Sequence, residues 1–315
     1  MLDLRTQLFL WFLRVTGRSF RPDVSVRAMR LGYADMNVRM GLPKDPTVET
    51  EDREIETPDG ASLLARIYRP PNTHDERLPV LLYFHGGGWV IGDVPSYDHL
   101  TRFFASVGRI AVVSIDYRLG PEHRFPTAFE DGFAALAWLQ RNAAELGVDP
   151  ARIIVGGDSA GAGIAASLSA YATQRGLARP AFQFLIYPPV DASARFPSRK
   201  AFPSGVPLTT PIMQWFAQQF FTGEGDAKSP FVTQLDAPQP ELLPPTYILA
   251  AGYDPLVDEG RAYADRLRNA GVAVTYDLRP SLPHGFVNFP RIVPAAQRAL
   301  DEAIRCVSST VKSLP

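Results

Sequence analysis

The most constraining feature of the chain is a five-residue run, Gly157-Asp158-Ser159-Ala160-Gly161. It lies between a short apolar run at 152–156 and the small-residue stretch Ala162-Gly163-Ile164-Ala165-Ala166-Ser167. A strand, a G-x-S-x-G turn and a helix of small side chains form the context of a nucleophile elbow, where a serine sits in a strained conformation with its oxygen projecting. Glycine on either side removes the Cβ atoms that would collide with the neighbouring strand and helix. Such a turn rests on a sheet, and continuous apolar runs at 80–84, 110–115, 152–156 and 246–251 suit strands covered on both faces. Helical patterns separate them, as at 127–145, so a mostly parallel α/β sheet with right-handed crossovers is expected. Ahead of these, 48–56 and 61–69 flank the turn Thr57-Pro58-Asp59-Gly60 and read as an antiparallel hairpin.

Composition narrows the function classes. Lys+Arg 32 against Asp+Glu 33 over 315 residues leaves a net charge of −1, so there is no global basic field to hold nucleic acid. With 46% hydrophobic and 21% charged residues the chain can bury a sizeable core. One cysteine, Cys306, closes no intrachain disulfide and builds no Cys-rich metal site, which fits a cytoplasmic location.

Near the start, the apolar run at 8–13 (LFLWFL) has six residues, far short of the ~20 that span a bilayer, so stable membrane insertion is not expected. Leu4, Leu8, Trp11, Phe12 and Val15 recur at helical spacing, with Arg5, Arg14 and Arg18 elsewhere on the cylinder. The leading expectation is a helix docking that apolar face on the body of the protein. The second is a lid or membrane-surface helix, because residues 1–45 carry eight basic and four acidic side chains.

The rhythm breaks at 180–245, which holds 12 of the 29 prolines together with Phe196, Phe202, Trp215, Phe216, Phe220 and Phe221. Prolines this dense do not suit central strands, and loops this long in compact domains are usually functional. The segment is expected to pack over the carboxyl edge of the sheet and wall a pocket.

A second motif, His85-Gly86-Gly87-Gly88, closes the run at 80–84. Acyl transfer requires backbone N–H donors aimed at an oxyanion, and a glycine run lets the chain approach the substrate closely. Gly86, Gly87 and Gly88 are therefore candidates for an oxyanion hole, with Ala160 supplying a further N–H just after the serine. No G-x-x-x-x-G-K-[ST] occurs and no lysine follows the glycines, which sets a phosphate loop aside. Gly161-Ala162-Gly163-Ile164-Ala165-Ala166 matches G-x-G-x-x-A, but Gly157-Asp158-Ser159-Ala160 intervenes after the strand, and Asp191 lies beyond the expected ~20 residues.

A serine nucleophile requires a base. Of the five histidines, His74, His85, His99, His123 and His284, only His284 follows Ser159, as the order Ser, acid, His demands. It sits in Leu282-Pro283-His284-Gly285-Phe286, after a strand expected at 273–278. Asp254 follows the run at 246–251 and is the candidate acid, placed to fix the imidazole tautomer. The other reading of Asp254 is an N-cap to a helix at 256–269.

His85–Gly88, Gly157–Gly161, Asp254-Pro255-Leu256 and His284-Gly285-Phe286 together resemble the hormone-sensitive-lipase-like esterases of the α/β-hydrolase fold, in the subgroup whose elbow reads GDSAG. Tyr117-Arg118-Leu119-Gly120-Pro121-Glu122-His123-Arg124-Phe125-Pro126 is similar to that family's YRLAPEHxFP segment, with Gly120 in place of the usual alanine. The resemblance spans Leu81 to Phe286. It implies an α/β-hydrolase catalytic domain at 46–315, with a cap made from an N-terminal segment, 1–45, and from about 185–230. It implies a serine carboxylesterase for small, short-acyl esters, working through Ser159, Asp254 and His284 with no metal and no cofactor. The N–H groups of Gly87, Gly88 and Ala160 would hold the oxyanion with Gly86 shaping the loop, and His85 and Asp158 would orient these loops rather than react. Trp89, Trp215, Phe216 and Phe286 are candidates to line the substrate pocket. An amidase or peptidase on the same triad is an alternative, and so is a non-catalytic binder, against which the presence of all three triad residues argues. An exposed edge strand would suit a homodimer.

Overall fold

The computed structural model describes residues 2, 4–16, 20–73, 76–193, 195–202 and 207–314, so Arg18 and His74 lie outside the described residues. Two N-terminal helices, α1 (Leu4–Val15) and α2 (Val26–Met40), precede the hairpin of β1 (Glu49–Glu56) and β2 (Ser62–Arg69). The alternating part runs β3 (Leu78–Phe84), α3 (Val94–Gly108), β4 (Ala111–Ile115), α4 (Thr127–Asn142), β5 (Val148–Asp158), α5 (Ala160–Tyr171) and β6 (Phe182–Ile186). Then come α6 (Ser198–Ala201), α7 (Thr210–Phe220), β7 (Thr246–Tyr253), α8 (Val257–Asn269), β8 (Val274–Pro283) and α9 (Pro294–Lys312).

The strands form one sheet in the order β1-β2-β4-β3-β5-β6-β7-β8, antiparallel from β1 to β4 and parallel from β4 to β8. Every residue of β3, β4 and β6 is buried, as continuous apolar runs require when helices cover both faces. Helix α3 packs with α9 and α4 with α5, while the turn at Gln234–Asp236 bridges α5 and α8. Edge strand β1 exposes seven charged or polar side chains and buries only Ile55, so its free backbone groups are guarded by charge.

Two expectations are corrected. Strand β6 lies inside the proline-dense region and sits centrally between β5 and β7. It is possible there because Phe182–Ile186 contains no proline: Pro180 precedes the ladder and Pro188 follows it. Helix α1 docks, but through the opposite face. Thr6, Phe9 and Leu13 are buried, with Phe9 5.0 Å from Phe289 by ring centroids, whereas Leu4, Leu8, Trp11, Phe12 and Val15 face outward.

Helix α2 is held far more firmly. Ser25 caps it by accepting the Ala28 N–H. Arg30 then donates to the Val90 carbonyl, the Gly120 carbonyl and both oxygens of Glu122, tying the helix to the segment after β3 and to the one after β4.

Candidate active site

Ser159 stands where β5 meets α5, at the carboxyl edge of the sheet. Its φ of 51° and ψ of −122° are unfavourable for a side chain with a Cβ, on the order of 1–3 kcal/mol. The conformation is overdetermined: the Ser159 N–H donates to the Ile186 carbonyl at 2.9 Å, and its carbonyl accepts from Gly163 at 3.1 Å. A Cβ on Gly157 or Gly161 would overlap the Phe84 carbonyl oxygen of β3, so both flanking glycines are dictated by the packing of elbow on strand.

His284 follows β8, and its backbone N–H donates to the Tyr253 carbonyl. The imidazole Nε2 is 2.9 Å from Ser159 Oγ and Nδ1 is 2.8 Å from Asp254 Oδ2. Asp254, fully buried after β7, also accepts the Leu256 N–H on Oδ1 at 2.8 Å, which locks its carboxylate plane. That bond keeps some of the capping character expected of Asp254, although the residue at the N-cap of α8 is Leu256. The Tyr187 ring packs 4.4 Å from the imidazole and limits its rotation. A single relay of contacts therefore joins hydroxyl, imidazole and carboxylate.

The glycine run bends over the serine. Gly86 does not contribute a free donor: its N–H is taken by Asp158 Oδ1 at 2.8 Å, with the Tyr97 hydroxyl at 3.2 Å. Its part at the site is therefore to hold the loop rather than to donate. Among the described residues no protein acceptor takes the N–H of Gly87, Gly88 or Ala160. His85 is fully buried, stacks on Tyr117 at 4.4 Å and holds the Gly86 carbonyl at 2.8 Å from Nδ1, while its own carbonyl accepts the Tyr117 hydroxyl.

Asp158 organises the floor. Oδ1 accepts from the Tyr83 hydroxyl and from Gly86, and Oδ2 accepts from Tyr97 and more loosely from Tyr187. Burial pushes this carboxyl above its ordinary range, with the tyrosine donors pulling the other way. Tyr83 and Tyr97 are driven well above the usual phenol value by burial and by the Asp158 charge, so they remain donors. The network reaches the N-terminal helices: Tyr33 on α2 shares a 2.6 Å bond with Tyr97 and accepts from Asn288.

A cavity of about 720 Å³ opens over Ser159 and His284. Trp89 and Phe216 line it, with Leu10 and Trp11 from α1, and Tyr33 and Met36 from α2. The Trp89 indole is pinned by donating to the Ala160 carbonyl at 3.0 Å and stacking on Phe220. Trp215 and Phe286 are set back from the cavity, contrary to expectation. Trp215 packs edge-on against Phe216 from behind, and Phe286 packs edge-on against Tyr187 in the core. The linings from α2 and from Leu208 and Ile212 were not singled out from the sequence; the latter two sit within the proline-rich segment already marked as a wall.

That segment is anchored beside the acid. Ser198 donates to the Pro255 carbonyl, and Arg199 forms a bidentate pair with Glu259 of α8. Burial pushes the Glu259 carboxyl up to about 7, with Arg199 opposing the shift. Among the described residues no group of three or more His, Cys, Asp or Glu is arranged to hold a metal ion, and no helix is long and apolar enough to cross a membrane.

A family model described as alpha/beta hydrolase fold matches residues 81–288. The chain belongs to the α/β-hydrolase family, among the hormone-sensitive-lipase-like members. Carboxylesterase NlhH of Mycobacterium tuberculosis is 38% identical over 257 residues, covering 81% of this chain and 80% of the relative. Ethyl acetate hydrolase of Pseudomonas putida is 40% identical over 252 residues, 79% of each. Among solved structures, an ester hydrolase from the metagenome of Lake Arreo, complexed with a derivative of bipyridine phosphonate, superposes with a TM-score of 0.94. It is 37% identical over 99% of this chain and all of that one. The esterase of Pyrobaculum calidifontis gives 0.90 at 37% identity, over 98% of each chain. The protein is an enzyme, a carboxylic ester hydrolase.

Proposed function

We propose that the protein hydrolyses small, short-acyl carboxylic esters through a covalent acyl-enzyme on Ser159. The observation that carries this reading is the relay Ser159 Oγ to His284 Nε2 at 2.9 Å and His284 Nδ1 to Asp254 Oδ2 at 2.8 Å. His284 takes the serine proton as Oγ attacks the ester carbonyl carbon, and Asp254 stabilises the imidazolium and holds its tautomer. The N–H groups of Gly87, Gly88 and Ala160 hold the oxyanion; one such donor is typically worth about 10²–10³ in turnover. Gly86 contributes by being held, not by donating. Collapse of the tetrahedral intermediate expels the alcohol with the proton from His284, and a water activated by the same imidazole then releases the acid.

Residues 1–45 and about 185–230 form the cap that walls the cavity, and their apolar linings exclude water from the acyl-enzyme. The short-acyl preference is supported by Phe216, whose ring closes directly on Gly88, and by the likeness to the ethyl acetate hydrolase of Pseudomonas putida. The test is hydrolysis of p-nitrophenyl esters from acetate to palmitate by the wild type and Ser159→Ala. Maximal turnover on short chains and a loss on the order of 10⁶ in the variant are expected. Activity retained by Ser159→Ala, or a wild type inert on every ester, would overturn the reading.

A further inference from the structure

Helix α1 is apolar on two opposite sides, one more than a helix that meets only its own protein needs. The side buried against the body carries Thr6, Phe9 and Leu13, whereas Leu4, Leu8, Trp11 and Val15 on the other are 69%, 56%, 62% and 56% exposed. At about 100° per residue these four fall within a stripe roughly 60° wide. Arg5 and Arg14 lie about 60° to either side of it. Both are exposed, and no acidic residue occurs in Leu4–Val15. Leu31 and Val38 stand two helical turns apart on the outside of α2, 63% and 65% exposed. A purely apolar stripe framed by cations is the pattern of a helix that lies in a lipid interface.

We infer that α1 docks the enzyme on an anionic lipid surface, its stripe entering the boundary between headgroups and acyl chains while Arg5 and Arg14 meet the phosphates. Charge selects this occupant. A second copy of the same helix laid antiparallel would set Arg5 beside the other copy's Arg14, with no acid on the helix to neutralise either. Trp11 stands on both sides of the boundary, exposed on the stripe and also lining the cavity. A docked enzyme therefore has its cavity rim at the lipid, and an apolar ester can pass from one to the other without crossing bulk water. Docking is read without turnover, so its failure is separable from failure of the esterase reading.

The test uses the full chain with vesicles of phosphatidylcholine alone or mixed with phosphatidylglycerol, followed by flotation and tryptophan emission. The wild type is expected to float with the anionic vesicles and at least tenfold less with phosphatidylcholine alone. The variant Leu4→Ser/Leu8→Ser/Val15→Ser should lose at least tenfold in partition while hydrolysing a water-soluble ester at the wild-type rate. Arg5→Gln, which leaves the stripe intact, should lose about fivefold on anionic vesicles and nothing on neutral ones. No flotation with either vesicle, equal flotation with both, or unchanged flotation of the triple variant would each overturn the inference. So would a concentration-dependent dimer that the triple variant abolishes in a protein indifferent to vesicles, which assigns the stripe to a second copy of the chain.

Discussion

Asp158 accepts the N–H of Gly86 at 2.8 Å, so the residue beside the serine holds the loop that bends over it. The two sites come from different strands, β5 and β3, and this bond joins them across the elbow. Replacing Asp158 with asparagine keeps the shape but removes the charge and turns an NH₂ toward Tyr97. A charged hydrogen bond is worth about 1.5–3 kcal/mol, so turnover should fall roughly 10–100-fold with KM little changed. Steady-state kinetics on one short ester checks the split; a rise in KM alone would mean Asp158 shapes the pocket instead.

Asp254→Asn should be far more damaging to rate than to stability. The Leu256 N–H still finds Oδ1, but the amide nitrogen now faces His284 Nδ1 and favours the wrong tautomer. A loss of about 10⁴ in kcat is expected. Thermal unfolding run in parallel should show a near-wild-type midpoint, and a large drop there would place Asp254 among structural residues.

Gly120 packs too closely on α7 to accept an alanine. An added Cβ would stand 2.9 Å from the Gln219 carbonyl oxygen and 3.2 Å from Phe220 Cα, both backbone atoms of α7. Gly120→Ala should destabilise by about 1–3 kcal/mol through overpacking, outweighing the ~0.4–1 kcal/mol gained from a stiffer unfolded chain. Denaturant melts measure the sign; a stabilised variant would mean that α7 yields freely.

His99 sets a pH dependence of folding. Its ring is buried under Gly41 at the end of α2, and burial pushes its pKa down from 6.5 to about 4. The unfolded chain therefore binds the proton more readily than the native one. The stability this represents is fully present above about pH 6.5 and is lost as pH falls toward 4, where the loss reaches about 3 kcal/mol. Unfolding free energies from pH 7 to 4 should drop less steeply in His99→Gln than in the wild type, and parallel slopes would remove His99 as the cause.

The candidate reacting groups were legible because each is dictated by local chemistry. Gly157 and Gly161 are required by the Phe84 carbonyl, and His284 and Asp254 fall at the ends of strands whose apolar runs are visible on their own. The motif alone does not say what holds Gly86 in place; that depends on Asp158, 72 residues away. Strand β6 was hidden by its proline-rich surroundings. The orientation of α1 was hidden by a sound rule, since an apolar stripe normally faces inward, and Phe9 and Leu13 were enough to dock the opposite side. Trp215 and Phe286 have the composition of a pocket wall, but only tertiary packing decides which aromatic ring faces the cavity and which stands behind it.

The bond from Asn288 to Tyr33 spans 255 residues of chain. During synthesis at about 5–20 residues per second, Tyr33 waits roughly 13–50 s before its partner exists. Until then α2 has no support from the histidine loop, and the cavity lacks one of its walls. The site thus matures only once the histidine loop has emerged, when it clasps a helix made 255 residues earlier.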